Sequence, residues 1–256
     1  DIRSYNKSSK ILKKKGVFAN EGILSTKIKK FYKSYFKFKN KNLPYVTCKM
    51  AMSKDYYTVN KQNKWITNKF SRGRVHLMRS KHDAILTSVK TVIKDNPKLT
   101  CRINGLENTS PLRVILDKDL KIPIKSEIVK TAYKYKTIIF FNNFIKRKIK
   151  KLKRLKVKLI KIPLNHDNNF DLKYILKIIA QLGFSRVFLE TGIKLTSNFL
   201  KANLINEVLI FSSSRKLGTN GSNSFKKKIS LFLKKKRGTQ EKVNLLGDKL
   251  ISYRIK

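Results

Sequence analysis

The chain has 256 residues, of which 61 are Lys or Arg and 15 are Asp or Glu, giving a net charge of +46. Its 41% hydrophobic content can build a real core, and its length suits one large domain or one domain with an appendage. Two cysteines exclude a disulfide framework and no apolar run reaches the ~20 residues of a membrane span, so a reduced, cytoplasmic setting is expected.

Residues 1–43 read as an appendage: a short helix, a strand near Val17, and a helix that Ser25 would cap and that Asn40, Asn42 and Pro44 would end. Charge and apolar residues are mixed at the start, unlike a signal peptide, and Asp1 stands where a methionine would, so the reading allows for sequence upstream. From Pro44 strands and helices alternate. Tyr45–Met52 reads as a strand, Thr67–Lys81 as a helix capped by Thr67, Asp83–Ser88 as a buried strand and Val89–Asp95 as a short helix stopped by Asn96 and Pro97. Strands are expected over Leu112–Asp117, Thr137–Phe141 and Val157–Ile162. Phe170–Gly183 is an amphipathic helix with its stripe on Leu172, Ile175, Leu176 and Ile179 and its stop at Gly183. The strand Arg186–Glu190 and the helix Leu195–Leu204 follow, then strands over Glu207–Ser214, Glu241–Leu246 and Leu250–Lys256. Such alternation predicts an α/β fold with a parallel centre, and the closing strands predict antiparallel pairing at one edge.

The most basic tracts, Lys146–Lys158 and Lys226–Arg237, read as solvated surface. Lysine outnumbers arginine along nearly the whole chain, as in a composition drifting with an AT-rich genome; an RNA- or membrane-facing patch is the sharper alternative, but only Phe232 interleaves an aromatic, so base stacking has little support. His76, His82 and His166 are scattered and neither cysteine lies in a CxxC pair, which gives no zinc spacing. There is no P-loop, no GxGxxG fingerprint and no nucleophile elbow.

Two places invite a ligand. In "VFLETGIKLTSNFL" a buried strand ends at Glu190 and a helix begins just past Gly192. Open α/β sheets bind ligands at that edge, and unpaired N–H groups of a first helical turn suit phosphate. Gly192 allows close backbone approach, and Thr196 and Ser197 would add hydroxyl donors. An ordinary connection would look the same. Around Asp95, Arg79 and Arg102 offer bidentate phosphate contacts, although both also read as surface cations.

Taken in order, "PYVTCKMAMSKD", "WITNKFSRGRVHLMRSKHDAILTSVKTVIKDNPKLTCR", "PLRVILDKDLKIP" and "VFLETGIKLTSNFLKANLINEVLIFSSSRKLG" resemble the signature blocks of the riboflavin-biosynthesis pyrimidine reductases, the reductase domain of the bifunctional deaminase/reductase. The resemblance runs from Pro44 to about Gly218 and implies a reductase domain over residues 44–256. It implies a dihydrofolate-reductase-like α/β fold with a mainly parallel sheet, a homodimer, and NADPH-dependent reduction of 5-amino-6-(5-phosphoribosylamino)uracil to the ribitylamino product. Carried over by position, cofactor contacts fall on Ala51, Trp65, Thr91 and Asp95 and on Gly192, Ile193, Lys194, Leu195, Thr196, Ser197 and Asn198. Substrate contacts fall on Asn63, Arg79, Leu99, Arg102 and Glu190. Lys49, Ser53 and Asp55 would support the site, and Asp95 is the carboxylate expected nearest the chemistry.

Departures from the family pattern are Tyr56 for a turn glycine, Asn63 for serine, Ile193 for proline and Lys118 for a serine at a cofactor position. Residues 1–43 resemble the end of the family's deaminase domain, but the His-x-Glu and Pro-Cys-x-x-Cys zinc motifs are absent from this chain. A deaminase is therefore expected either upstream in the same polypeptide or as a separate one. A basic nucleic-acid-binding protein on a decayed reductase scaffold is the remaining alternative.

Overall fold

The computed structural model describes residues 7–224, 230–234 and 236–255, so the Lys226–Arg237 tract and the last strand lie partly outside the described residues. Three helices come first: α1 (Ser8–Lys14), α2 (Ser25–Phe31) and α3 (Lys33–Lys41), none of which buries a residue. Here the structure departs from expectation. No strand forms near Val17. Ser25 is not the cap: Leu24 occupies that position with φ 58 and no side-chain bond. The single long helix is broken at Tyr32, where α2 ends and α3 starts. Polar links hold α3 to the sheet, with Lys33 Nζ 3.3 Å from Glu207 Oε2 and Lys37 Nζ donating to Asn206 Oδ1 at 2.6 Å.

The remaining elements are β1 (Tyr45–Met52), β2 (Tyr57–Asn60), α4 (Lys69–Ser80), β3 (Ala84–Ser88), α5 (Val89–Asp95), β4 (Leu112–Leu116), α6 (Glu127–Lys130), β5 (Thr137–Phe141), α7 (Lys146–Arg154), β6 (Lys158–Lys161), α8 (Leu172–Gln181), β7 (Arg186–Glu190), α9 (Ile193–Lys201), β8 (Glu207–Ser212), β9 (Gly221–Ser224), α10 (Ser230–Leu233), β10 (Gly238–Gln240) and β11 (Lys249–Arg254). Among the described residues the main sheet has nine strands in the order β10-β11-β8-β1-β7-β3-β4-β5-β6. From β8 to β6 every pair is parallel, while β11 and β10 add antiparallel strands at one edge, as the closing strand run predicts. The outer partner is Gly238–Gln240 rather than Glu241–Leu246. That segment buries Leu245 but turns away through left-handed Leu246 (φ 46) and Gly247 (φ 91).

Alternation along the strands sorts the core into two faces. Val46, Cys48 and Met50 of β1, Leu86 of β3 and Leu189 of β7 meet α8 and α9 through Ile175, Ile179, Phe199 and Leu200. Ile85, Ile115, Ile139 and Phe188 meet α4, α5, α6 and α7 through Val75, Val92, Ile128 and Leu152. Each fully buried aliphatic side chain contributes about 1.5–3 kcal/mol of transfer free energy. The basic helix α7 resolves its own pattern this way, with Ile149 and Leu152 buried and its lysines outward.

Capping fixes where the helices begin. Asn68, not Thr67, caps α4, accepting from the N–H groups of Phe70 and Ser71 at 3.0 Å. Asp171 caps α8 through the N–H groups of Lys173 and Tyr174. No helix among the described residues is long and apolar enough to cross a membrane.

Candidate active site

The strand order places the site. β7 returns between β1 and β3, so the carboxyl ends of β1, β7, β3 and β4 converge where successive connections diverge. A cleft of about 1840 Å³ opens there, with Lys49 and Ala51 of β1, Glu190 of β7, Ser88 of β3 and Leu116 of β4 along its floor. The separate antiparallel ribbon β2–β9 overhangs it through Thr58, Val59, Asn60 and Asn223.

Parallel pairing puts Lys49 directly beside Glu190 on one face of the sheet. Arg79, from the last turn of α4, reaches the same carboxylate with Nε at 2.7 Å from Oε1 and Nη2 at 3.0 Å from Oε2. The side chains are only 11% and 12% exposed, so this is a recessed, bidentate pair. Burial pushes the Glu190 carboxyl up, but the Arg79 charge and its hydrogen bonds, with Lys49 and His76, outweigh it and hold the carboxyl below its ordinary range. Burial lowers the Lys49 ammonium, and Glu190 opposes that only in part.

Arg79 Nη1 also donates to the Thr100 carbonyl at 3.1 Å. His76 Nδ1 lies 3.0 Å from the same carbonyl and 3.3 Å from the backbone N–H of Arg102. Burial, then the charges of Arg79 and Arg102, push the His76 imidazole down to about 4, so it is neutral at physiological pH. The Arg102 side chain stands exposed at the cleft. Leu99 lines the wall in the left-handed region (φ 54) while only 3% exposed.

The turn after β7 is now explicit. Gly192 is the N-cap of α9 with φ −72 and ψ 168, and no side chain caps that helix. A Cβ added to Gly192 would meet nothing within 4 Å, so the first turn opens onto the cleft. Ile193 takes the first helical position, where a proline is favoured but not required, and packs against the core. Lys194, Leu195 and Asn198 also line the cleft. Thr196 and Ser197 do not act as the expected hydroxyl donors there: both are buried on the inner face of α9, and Thr196 Oγ1 faces Cys48 Sγ at 3.9 Å. The helix phase explains the difference, since these two residues sit beside Phe199 and Leu200.

Ala51, Asn63, Trp65, Thr91 and Asp95 all line the same cleft, with Asp95 exposed at the end of α5. Lys118 lines it as well, donating from Nζ to the Asn168 carbonyl at 3.2 Å. Ser53 and Asp55 are set back. Burial pushes the Asp55 carboxyl up, but the Ser53 hydroxyl and the N–H groups of Gly218 and Leu217 bring it down to about 2. This carboxylate therefore ties the turn before β2 to the loop before β9. Within that turn Tyr56 has φ 71, a conformation suited to the glycine it replaces.

Neither a site role for His76 nor the ribbon β2–β9 is legible in the sequence. A lone histidine on a helix carries no spacing signal, Tyr57–Asn60 is too short for the alternation of Tyr57 and Val59 to stand out, and Gly221–Ser224 has no apolar side chain to alternate. No group of three or more His, Cys, Asp or Glu among the described residues could hold a metal ion.

Comparison with known proteins adds the family. The model of the RibD C-terminal domain matches residues 44–245. The riboflavin biosynthesis protein RibD of Aquifex aeolicus is 29% identical over 250 residues, covering 94% of this chain and 66% of that protein. The 5-amino-6-(5-phosphoribosylamino)uracil reductase of Buchnera aphidicola subsp. Acyrthosiphon pisum is 29% identical over 62% of this chain and 79% of its own length. Among solved structures, a diaminohydroxyphosphoribosylaminopyrimidine deaminase/5-amino-6-(5-phosphoribosylamino)uracil reductase from Thermotoga maritima superposes with a TM-score of 0.75 at 25% identity, over 96% of this chain and 66% of that one. The chain thus spans 66% of the length of both the Aquifex and the Thermotoga proteins. By its sequence blocks, its sheet order and this match, the chain belongs to the RibD C-terminal domain family.

Proposed function

We propose that the cleft binds NADPH and reduces 5-amino-6-(5-phosphoribosylamino)uracil to its ribitylamino counterpart, in the cytoplasm. The observation that carries this reading is the meeting of an uncapped, open helix N-terminus at Gly192 with the Lys49–Glu190–Arg79 group in one cleft. The chain's residues fit the cofactor. Unpaired N–H groups of α9 and the rim lysines Lys90, Lys94, Lys194 and Lys201 suit its phosphates, and half-exposed Trp65 offers an aromatic face. When bound, the nicotinamide supplies the hydride, and the first carbon of the open-chain imine sugar accepts it.

The protein's part is positioning and charge. Arg102 holds the substrate's anionic or polar edge, and Leu99 packs against it. Arg79 fixes the Glu190 carboxylate, leaving Glu190 to orient Lys49 and to accept from the sugar. A proton must reach the imine nitrogen as hydride arrives at carbon. Lys49 is the donor the geometry favours, because its ammonium is recessed and its pKa is lowered, whereas Asp95 stands exposed. Purified protein should oxidise NADPH only when the ribosylaminouracil phosphate is present. A folded, NADPH-binding sample with no such turnover would sink the proposal. Salt-sensitive binding to nucleic acid without NADPH affinity would favour the nucleic-acid alternative.

A second reading concerns partners. Phe18 (91% exposed) and Phe31 (80%), with Ile23, Leu24 and Ile11, leave an apolar surface on the segment before the sheet. Large apolar side chains left this exposed are available to a partner, and the chain spans 66% of the length of the Aquifex RibD protein. We propose that a deaminase domain, in the same or another polypeptide, covers it.

A further inference from the structure

Arg113, in β4, is fully buried, with 0% of its surface exposed. No carboxylate of the described residues pairs with it. All five of its donors are nonetheless used. Nε and Nη2 donate to Thr137 Oγ1 at 3.0 and 2.7 Å, and Nη2 also reaches the carbonyls of Ile128 and Tyr135 at 2.9 and 3.0 Å. Nη1 donates to Thr131 Oγ1 at 2.8 Å and to the Lys98 carbonyl at 3.2 Å. The two hydroxyls are free to accept because each passes its own proton on, Thr137 to Tyr135 and Thr131 to Glu127. Burial lowers the guanidinium to about 10, so it stays charged at neutral pH. A charge kept dry without a counter-ion needs a use, because an apolar residue of similar size would avoid its desolvation.

Of its partners, the Lys98 carbonyl alone belongs to the cleft wall. Lys98 leads directly into Leu99, which is held at φ 54, and on to Arg102. A leucine rarely adopts that conformation unless its neighbours impose it. The carbonyls on both sides of Leu99 are gripped: Lys98 by Arg113, and Thr100 by Arg79. Only a planar five-donor fork can span three carbonyls and two hydroxyls from α6, β5 and this loop at once.

We propose that Arg113 is a positioning residue whose buried guanidinium holds loop 98–102 in the shape that presents Leu99 and Arg102 to the substrate. The role rests on the proposed reductase reading for its consequence, but the loop's order can be measured without any ligand. The test is amide hydrogen exchange of residues 99–102 in the free protein, with steady-state kinetics and NADPH binding followed by quenching of Trp65, the single tryptophan. Arg113→Met should speed exchange in that loop about tenfold or more and raise the substrate KM by a similar factor, while NADPH affinity is unchanged. Arg113→Lys should recover part of both effects. Unchanged exchange in loop 99–102, or equal loss of affinity for both ligands, overturns the proposal. If Arg113→Met fails to fold, the near-isosteric Thr131→Val decides. It frees the nitrogen that reaches Lys98, so it should loosen the same loop to a smaller degree, and unchanged exchange would overturn the proposal. If the wild-type protein fails to reduce the proposed substrate, the reductase reading falls, whereas the exchange result still judges Arg113.

Discussion

Replacing Glu190 with glutamine tests the recessed ion pair on the cleft floor. Removing one partner of a buried pair costs about 3–5 kcal/mol. Glutamine keeps one acceptor for Arg79, recovering about 1 kcal/mol, and the cleft gives water some access, so a loss of about 2–3 kcal/mol is expected. For a chain of this size that lowers Tm by about 4–12 °C. The pH dependence carries the sign. The folded-state pKa of Glu190 lies below its ordinary value of 4.5. The pair's contribution is therefore full above that value and is lost as pH falls through the lowered pKa. Thermal unfolding of wild type and Glu190→Gln, at neutral pH and again in acid, should show a gap that closes on acidification. Equal melting temperatures at neutral pH, or a gap that widens in acid, would refute the reasoning.

Three further outcomes follow from the geometry. Tyr56→Gly should raise stability by about 1 kcal/mol by relieving the left-handed turn at φ 71, read as a shift in the denaturation midpoint; a lower midpoint would mean the side chain matters more than the strain. Arg102→Ala should raise substrate KM far more than it alters NADPH affinity, because that exposed guanidinium lines the loop wall rather than the α9 turn; an unchanged KM would remove it from the substrate contacts. His76 should titrate near pH 4 by NMR and move upward when an anion binds beside Arg79 and Arg102, whereas an ordinary midpoint would contradict its burial between those charges.

Much of the fold was legible because burial on both faces forces near-continuous apolar strands. Leu112–Leu116, Thr137–Phe141 and Arg186–Glu190 are local patterns with one reading. The helix α5 was legible too, ended by Asn96 and Pro97. Tertiary closure governed the rest. The ribbon β2–β9 joins strands far apart in the chain and is held by Asp55 at its base. Thr67 and Asn68 are adjacent residues of capping type, and although asparagine is the stronger cap, Asp248, which accepts from the Asn68 N–H and helps fix the start, lies in a distant loop. Family-like blocks named Arg79 and Glu190 separately; that they bind each other depends on α4 crossing over β7. Arg113 is one of 61 cations in the sequence, and nothing local distinguishes the one that is buried. Thr196 and Ser197 show the converse, since their hydroxyls suggested a ligand and the helix phase turned them inward.

The central claim is hydride transfer from NADPH to the first sugar carbon of the ribosylaminouracil phosphate within this cleft. The direct measurement is mass spectrometry of the product after incubation with NADPH deuterated at the transferring position. The ribitylamino product should carry one deuterium at that carbon and form with equal loss of NADPH. NADPH left unoxidised by folded protein that binds it, or product without deuterium, would contradict it.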